Sequence, residues 1–475
     1  MFLVIAPEIF IVSSILGLVV LEIIFKNKKV LFLFFLCSFV SVFIACLILL
    51  YNLYKNKVLE LILLGGRFSL NAEIIIIKIL ILVVCLFLVS ISFEGFKYGN
   101  EKGYGEFCAL ILSTSLGALL LVSSSDILTF YVSLETATIP LFLLVAWKER
   151  SWSAEAAIKY TLLGMLSSVF LLLGISYIYG MTGSTDFYSI SYFLFNNSAV
   201  YFISIIFIVS IGFKMAIVPF HMWISDVYYG SSFEIAAYLS VFSKIIGIVL
   251  IWNIFYKMLG NHIIYESIFF ISILSSFTMT FGNILAIGQS NIKRIMAFSS
   301  ISQAGYLLIG LLDGGKMGVT SLFYYMLVYS VSNLAAFTVF IYYKKVFNVE
   351  NVQDFNGLAE KAPVMSLILT IALFSLAGIP PLSGFIGKFF IFNIAAQENV
   401  NWLVLMAAVN STISLYYYLG IIKRIYIYDF EKKLNVDTSK FLIIKSNAIL
   451  LGVLILLVGL YSSFYNTIYT IINIY

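Results

Sequence analysis

Charge is scarce in this sequence. Only 11% of its 475 residues are Asp, Glu, Lys or Arg, while 62% are hydrophobic, and the mean hydropathy is +1.06. Such a balance excludes a soluble globular protein. The longest polar stretches, 344–361 and 429–440, are too short to form a soluble domain of their own, so nearly the whole chain is expected in the bilayer. Cysteine is scarce too: Cys37, Cys46, Cys85 and Cys108 form no CxxC pair and no metal-ligand spacing. The two histidines, His221 and His262, are too few for a helix-borne pair of haems. No redox centre, cofactor or metal is therefore expected in this chain. The net charge of +5 does not point to nucleic acid, because the basic residues lie mostly between apolar runs. The N-terminal run lacks a basic leader and continues as a full span, so no cleavable signal is expected.

What is present is a succession of long apolar runs. A helix needs about 20 apolar residues to cross a bilayer, and on that criterion the sequence predicts an all-α polytopic protein of about fourteen spans. Their limits are 2–25, 30–54, 70–93, 106–125, 127–147, 154–180, 198–229, 232–256, 264–288, 292–311, 317–346, 363–396, 399–428 and 441–469. Loops after odd-numbered spans carry 17 Lys and Arg, and loops after even-numbered spans carry 5. By the positive-inside rule the odd loops are cytoplasmic and both termini lie outside.

Six of the 28 basic residues remain inside spans; Lys445 lies near a helix end and can reach the interface, but Lys78, Lys159, Lys214, Lys244 and Lys388 cannot easily do so, and each costs about 2.5–3.5 kcal/mol near a span centre. A lysine removed from water becomes a proton site whose charge a neighbouring carboxylate can set. Glu135, in the middle of the fifth span, is the obvious partner for Lys214, with Lys244 and Lys388 next in line. The competing explanation is a set of static ion pairs that fix packing. Lys78 and Lys159 sit nearer an interface or lack an evident partner. Pro219 in GFKMAIVPFHMW, and Pro380 and Pro381 in SLAGIPPLSGFIGKFF, break the seventh and twelfth spans, each beside a lysine. Exposed backbone at membrane depth survives only inside protein or beside a wet cavity, and broken midplane helices build ion sites in transporters. The two breaks lie five spans apart, as an inverted repeat of spans four to eight (105–256) and nine to thirteen (264–428) requires, with 1–93 and 441–475 as flanking helices. His221 serves either as a relay between Lys214 and Lys244 or as a cap on freed carbonyls. Ser299, Ser300, Ser302 and Gln303 offer either support for a water chain or helix-to-helix hydrogen bonds. GLLDGGKM, 310–317, nearly matches a phosphate-binding loop, but Met317 replaces the required hydroxyl residue and no strand precedes it, so it is expected to be a turn.

Several segments together resemble the antiporter-like subunits of complex I, most closely the subunit N family. They are Ala6-Pro7-Glu8, SAEAAIKYTLLGMLSS from Ser153, GFKMAIVPFHMWISDVYYG, QSNIKRIMAFSSISQAGYLLIG from Gln289, LAGIPPLSGFIGKFFIF and NSTISLYYYL from Asn410. The resemblance covers nearly the whole chain. It implies fourteen spans with two broken helices in an inverted-repeat pair, and proton movement by Glu135, Lys214, Lys244 and Lys388, coupled to electron transfer from NADH to quinone elsewhere. FMN, iron–sulfur clusters and quinone are implied in partner subunits, and other membrane subunits, antiporter-like ones included, are the implied partners. The implied location is a bacterial inner membrane. The sequence departs from the family where Ser225 stands for a usual proline and where Tyr229-Gly230-Ser231-Ser232 stand for Glu-Gly-Ala-Pro, with Glu234 nearby as a replacement acid. Gln303 stands where many relatives have histidine. The rival reading is a subunit of a multisubunit cation/proton antiporter.

Overall fold

A computed structural model describes residues 4–25, 27–56, 61–98, 103–148, 151–194, 199–429, 441–461 and 463–474. Of the basic residues used for orientation, Lys26, Lys57, Lys102, Arg150, Lys432, Lys433 and Lys440 lie outside the described residues.

The chain folds almost entirely as helices. In order these are α1 (Ala6–Phe25), α2 (Lys28–Asn56), α3 (Ala72–Tyr98), α4 (Tyr104–Ser123), α5 (Ile127–Val145), α6 (Ser151–Thr182) and α7 (Phe187–Leu194). They are followed by α8 (Ala199–Met215), α9 (Trp223–Gly230), α10 (Phe233–Ile251), α11 (Asn261–Ile287), α12 (Ile292–Ile309) and α13 (Lys316–Phe347). The last are α14 (Leu358–Lys361), α15 (Pro363–Ala377), α16 (Ser383–Gln397), α17 (Asn401–Ile427), α18 (Leu442–Leu460) and α19 (Ser463–Ile474). Among the described residues, twelve helices are long and apolar enough to cross a membrane. The other two expected spans, the seventh and twelfth, are each divided: α8 and α9 flank one break, α15 and α16 the other.

Two details differ from expectation. A two-stranded hairpin, β1 (Leu61–Leu63) and β2 (Phe68–Leu70), joins α2 to α3. Gly65 and Gly66, both at positive φ, allow its tight reversal. The last span ends at Leu460, and α19 follows as a separate helix that docks through Tyr465, whose ring stacks on Phe390 at 3.5 Å.

Burial locates the centre. Helices α10, α12 and α13 are enclosed over most of their length, whereas α1, α6, α17 and α18 leave most of theirs open. A helix apolar all round is at home inside such a bundle, and in α10, from Phe233 to Ile251, every residue but Glu234 is buried. Side-chain caps fix where these helices start: Asp126 accepts from the amide of Thr129 for α5, Ser232 from Ile235 for α10 and Asn291 from Lys293 for α12.

One arrangement occurs twice. Asp126, before α5, forms a bridge with Asp186, and Asn291, before α12, forms one with Asn351; each member of the second pair lies 165 positions after its counterpart. The same separation relates Gly117 to Gly282. Gly117 packs directly on the backbone of Ala137, and Gly282 on that of Ser302, again 165 positions on, with no room for a Cβ at either glycine.

The near-match to a phosphate loop is a turn that fills itself. The carboxylate of Asp313 accepts the amides of Gly315 at 2.6 Å and Gly318 at 2.7 Å, which are the donors a phosphate would need.

Candidate functional site

The two breaks are built alike, and their backbone explains two of the lysines. Helix α8 ends at Met215 and α15 at Ala377; the next residues, Ala216 and Gly378, are left-handed, with φ of 59° and 88°. In an unbroken helix the carbonyl of residue i accepts the amide of residue i+4. For Met215 that residue is Pro219 and for Ala377 it is Pro381, and neither has an N–H. The Val218–Pro219 and Pro380–Pro381 bonds are both cis.

A lysine from elsewhere in the fold supplies the missing donor in each case. Lys244 of α10 donates to the Met215 carbonyl at 3.0 Å. Lys388 of α16 donates to the Ala377 carbonyl at 2.9 Å and to Ser411 Oγ of α17 at 3.3 Å, and Ser411 donates to the same carbonyl at 2.7 Å. Both ammonium groups are enclosed. Each lies on the negative end of a half-helix, where a cation is favoured, and Lys388 also lies 4.4 Å from the ring centre of Tyr306. Neither is ion-paired within 4.0 Å to a carboxylate among the described residues.

Lys214 is held differently. It belongs to the last turn of α8, and its Nζ is buried without a hydrogen-bond partner among the described residues. It lines a small pocket with Phe142, Tyr160 and Trp223. Glu135 of α5 is near enough for its charge to act on Lys214, but the two form no direct ion pair. The carboxylate is held instead by Ser168 of α6, whose hydroxyl donates to it at 2.6 Å. Ser168 thus fixes one end of an electrostatic pair that stays apart.

The other expected residues divide. His221, just beyond the break, is buried with Nδ1 unpartnered and makes no hydrogen bond to Lys214 or Lys244. Lys159 is 42% exposed and pairs with Asp226 at 2.7 Å and Glu155 at 2.8 Å, in a cluster on the outer face of the bundle. Lys78, fully enclosed, pairs at 2.5 Å with Glu8. Both lysines therefore have the partners that were not evident in the sequence. Glu234 pairs with Lys345 of α13 at 2.7 Å.

Between Lys244 and Lys388 runs a row of hydroxyl and amide groups. Asn333 donates to Ser240 Oγ at 3.1 Å, one turn before Lys244 on α10, and to the Tyr329 hydroxyl at 2.5 Å. Tyr329 itself donates to the Ser240 carbonyl at 3.1 Å. One turn away on α13, Tyr325 donates to Gln303, whose amide donates in turn to the Leu376 carbonyl at 3.2 Å, next to the Ala377 carbonyl that holds Lys388. Ser299 meets Tyr418 at 2.5 Å and Ser300 meets Tyr228 at 3.4 Å. Hydroxyl groups donate and accept at once, so such a row is able to pass protons by reorientation. Tyr325, Tyr329 and Asn333 were not singled out from the sequence, although their spacing of four along one helix face was a usable signal. Ser168 and Ser411 gave none, because only the fold shows what they touch.

Comparison with known proteins now decides the family. Residues 124–414 match the family model described as NADH:quinone oxidoreductase/Mrp antiporter, TM. The NADH-quinone oxidoreductase subunit N of Azobacteroides pseudotrichonymphae is 38% identical over 414 residues, covering 86% of this chain and 85% of that one. The chain belongs to the NADH-quinone oxidoreductase subunit N family. Among solved structures, a chain of respiratory complex I from Thermus thermophilus with bound aureothin superposes with a TM-score of 0.80 at 25% identity, over 96% of this chain and 97% of that one. A chain of the Mrp complex from Dietzia sp. DQ12-45-1b superposes with a TM-score of 0.86 at 20% identity, over 99% and 97%. The second likeness speaks for the fold alone. This member of the subunit N family thus shares an antiporter-like architecture and is a multi-pass membrane protein.

Proposed function

We propose that this chain is a proton-translocating membrane subunit of a respiratory complex that transfers electrons from NADH to quinone in partner subunits. The observation that carries the reading is the pair of enclosed lysines, Lys244 and Lys388, each seated on a half-helix carbonyl whose own donor has been removed by proline. A structural lysine in a bilayer is most simply matched to a carboxylate, as Lys78 is to Glu8. A lysine on a carbonyl keeps a donor contact while charged and has only a weak tie when neutral, which suits a group that must load and release a proton.

In this scheme Glu135 sets the charge of Lys214, Lys244 receives the proton, and the row from Ser240 through Asn333, Tyr329, Tyr325 and Gln303, with water, leads toward Lys388. Pro219, Pro380 and Pro381 create the breaks that make room for the two acceptor carbonyls. FMN, iron–sulfur clusters and quinone belong to partner subunits, other antiporter-like subunits are neighbours in the same membrane, and the membrane is a bacterial inner membrane with both termini outside. Lys159, on the outer face, is left out of the route. Two five-span units, 105–256 and 264–428, form an inverted repeat, supported by the recurring 165-residue separation of the bridges and close glycine contacts.

The test is proton uptake driven by NADH oxidation in proteoliposomes that hold the whole complex. With Lys244→Met or Lys388→Met, uptake per NADH oxidised should fall well below that of the parent complex. A second reading, a subunit of a cation/proton antiporter, is favoured by the family model, whose description names the Mrp antiporter beside NADH:quinone oxidoreductase. It predicts cation-driven proton exchange without NADH oxidation in any purified assembly that contains this chain.

A further inference from the structure

The row between Lys244 and Lys388 has a side branch. Tyr418 of α17, fully buried, meets Ser299 of α12 at 2.5 Å. Its hydroxyl is also close enough to Gln303, a member of the row, for that amide to act on it. Tyr417 brings its own hydroxyl to the same place: it donates to Asn283 Oδ1 of α11 at 3.1 Å and lies close enough to Tyr418 and Ser299 for each to act on it. Asn283 in turn donates to the Asn410 side chain at 3.0 Å, and Asn410 to Thr280 at 3.1 Å, so the amides beside the branch are held in place by one another.

Tyr417 also stands in the wall of a cavity of about 600 Å³ between α11, α12 and α17. Gln289, Val352, Lys423 and Arg424 line it as well. They follow the ninth and eleventh spans or end the thirteenth, so the mouth is on the side that carries the lysine excess. From Tyr417 to the end of α17 at Ile427 is ten residues, about 15 Å of helix, so the cavity reaches well into the span. Gly420 lines it nearer the mouth, where a Cβ would meet nothing within 4 Å. A space of this size with polar groups at its rim is able to hold water. The two cations lie at the rim, where solvent and salt screen them, and Arg424 is turned to Asn356 at 3.3 Å.

We propose that protons enter the row from this cavity, passing by way of the hydroxyls of Tyr417 and Tyr418 to Gln303 and from there to Lys388. The proposal rests on the reading of Lys388 as a proton carrier and adds where its proton comes from. Helix-to-helix hydrogen bonding alone accounts for Asn283 and Asn410. It does not account for a tyrosine that stands in the cavity wall on one side and joins the hydroxyl cluster on the other. Hydroxyl groups donate and accept at once, so Tyr417 and Tyr418 are able to relay a proton where water stops.

Two variants of the intact complex in proteoliposomes test this, with Lys388→Met measured beside them. Tyr417→Phe keeps the ring and removes the hydroxyl. Gly420→Cys places a thiol in the cavity away from the hydroxyl cluster. A charged, membrane-impermeant methanethiosulfonate is then added outside with NADH, so that reagent and substrate reach the same face. The thiolate is the reacting form, so modification at position 420, read by peptide mass spectrometry, reports water in the cavity. The parent complex treated with the reagent corrects for native cysteines. The expected result is that Gly420→Cys is modified and that its uptake per NADH oxidised, normal beforehand, then falls to the level of Lys388→Met. Tyr417→Phe should show the same loss without reagent. An unmodified thiol, or normal uptake in Tyr417→Phe, overturns the entrance while a loss in Lys388→Met leaves the carrier reading standing. Normal uptake in Lys388→Met itself overturns the carrier reading, and the entrance with it.

Discussion

The ammonium of Lys388 lies 2.9 Å from the carbonyl oxygen of Ala377, whose helical donor would have been the amide of residue 381, a proline. Lys244 bears the same relation to Met215 and Pro219. Sequence order had hidden this correspondence. Lys214 precedes its proline and Lys388 follows its own, so the two breaks look reversed when read along the chain. The structural counterpart of Lys388 is Lys244, which reaches the first break from the neighbouring span.

Ser411 shares the Ala377 carbonyl with Lys388. Ser411→Ala should leave the lysine in place but remove one of its two acceptors, lowering proton uptake per NADH less than Lys388→Met does. Uptake in proteoliposomes, with NADH oxidation followed in parallel, checks the order of the two effects.

Ser168 positions the Glu135 carboxylate through a hydrogen bond of 2.6 Å. A hydrogen bond to a charged group contributes about 1.5–3 kcal/mol, so Ser168→Ala should shift the coupling between Glu135 and Lys214 by roughly ten-fold or more on that scale. Ser168→Thr, which keeps the hydroxyl, should recover most of the uptake. Equal loss in both variants would mean that α5–α6 packing, not the hydrogen bond, was disturbed.

On α13, Tyr329→Phe removes a hydroxyl that both donates to Ser240 and accepts from Asn333. Uptake should fall while the complex still assembles, because the ring that fills the core is retained. Assembly is read by sedimentation of the detergent-solubilised complex, uptake as above.

The Lys78–Glu8 pair gives a contrasting expectation. Breaking a buried pair costs about 3–5 kcal/mol because the remaining charge is left alone, so Glu8→Gln should lower the thermal stability of the assembled complex. Replacing both, Lys78→Met with Glu8→Leu, should restore much of it. Proton uptake per intact complex should change little in either variant.

Much of this was legible in the sequence. Apolar runs gave the helices, since a 20-residue apolar run leaves a membrane chain few alternatives, and the two breaks were visible as prolines beside glycine and lysine. Intramembrane lysines announced themselves by cost. What the sequence withheld was who meets whom. Glu8 and Lys78 lie 70 residues apart, and Lys244 meets Met215 through packing that no local pattern encodes. The tyrosine row on α13 was hidden for another reason: tyrosine counts as hydrophobic in any span search, so its hydroxyl was not weighed. The hairpin before α3 and the separate α19 were missed because each lies at the edge of an apolar run, where boundaries are weakly determined.

The most direct test of the central claim is the ratio of protons taken up to NADH oxidised by the reconstituted complex carrying Lys244→Met. If the enclosed lysine on the broken helix is a proton carrier, the ratio should drop clearly below that of the parent complex assayed side by side, with assembly intact. An unchanged ratio in a fully assembled complex would contradict the account and leave Lys244 as a cap on the Met215 carbonyl.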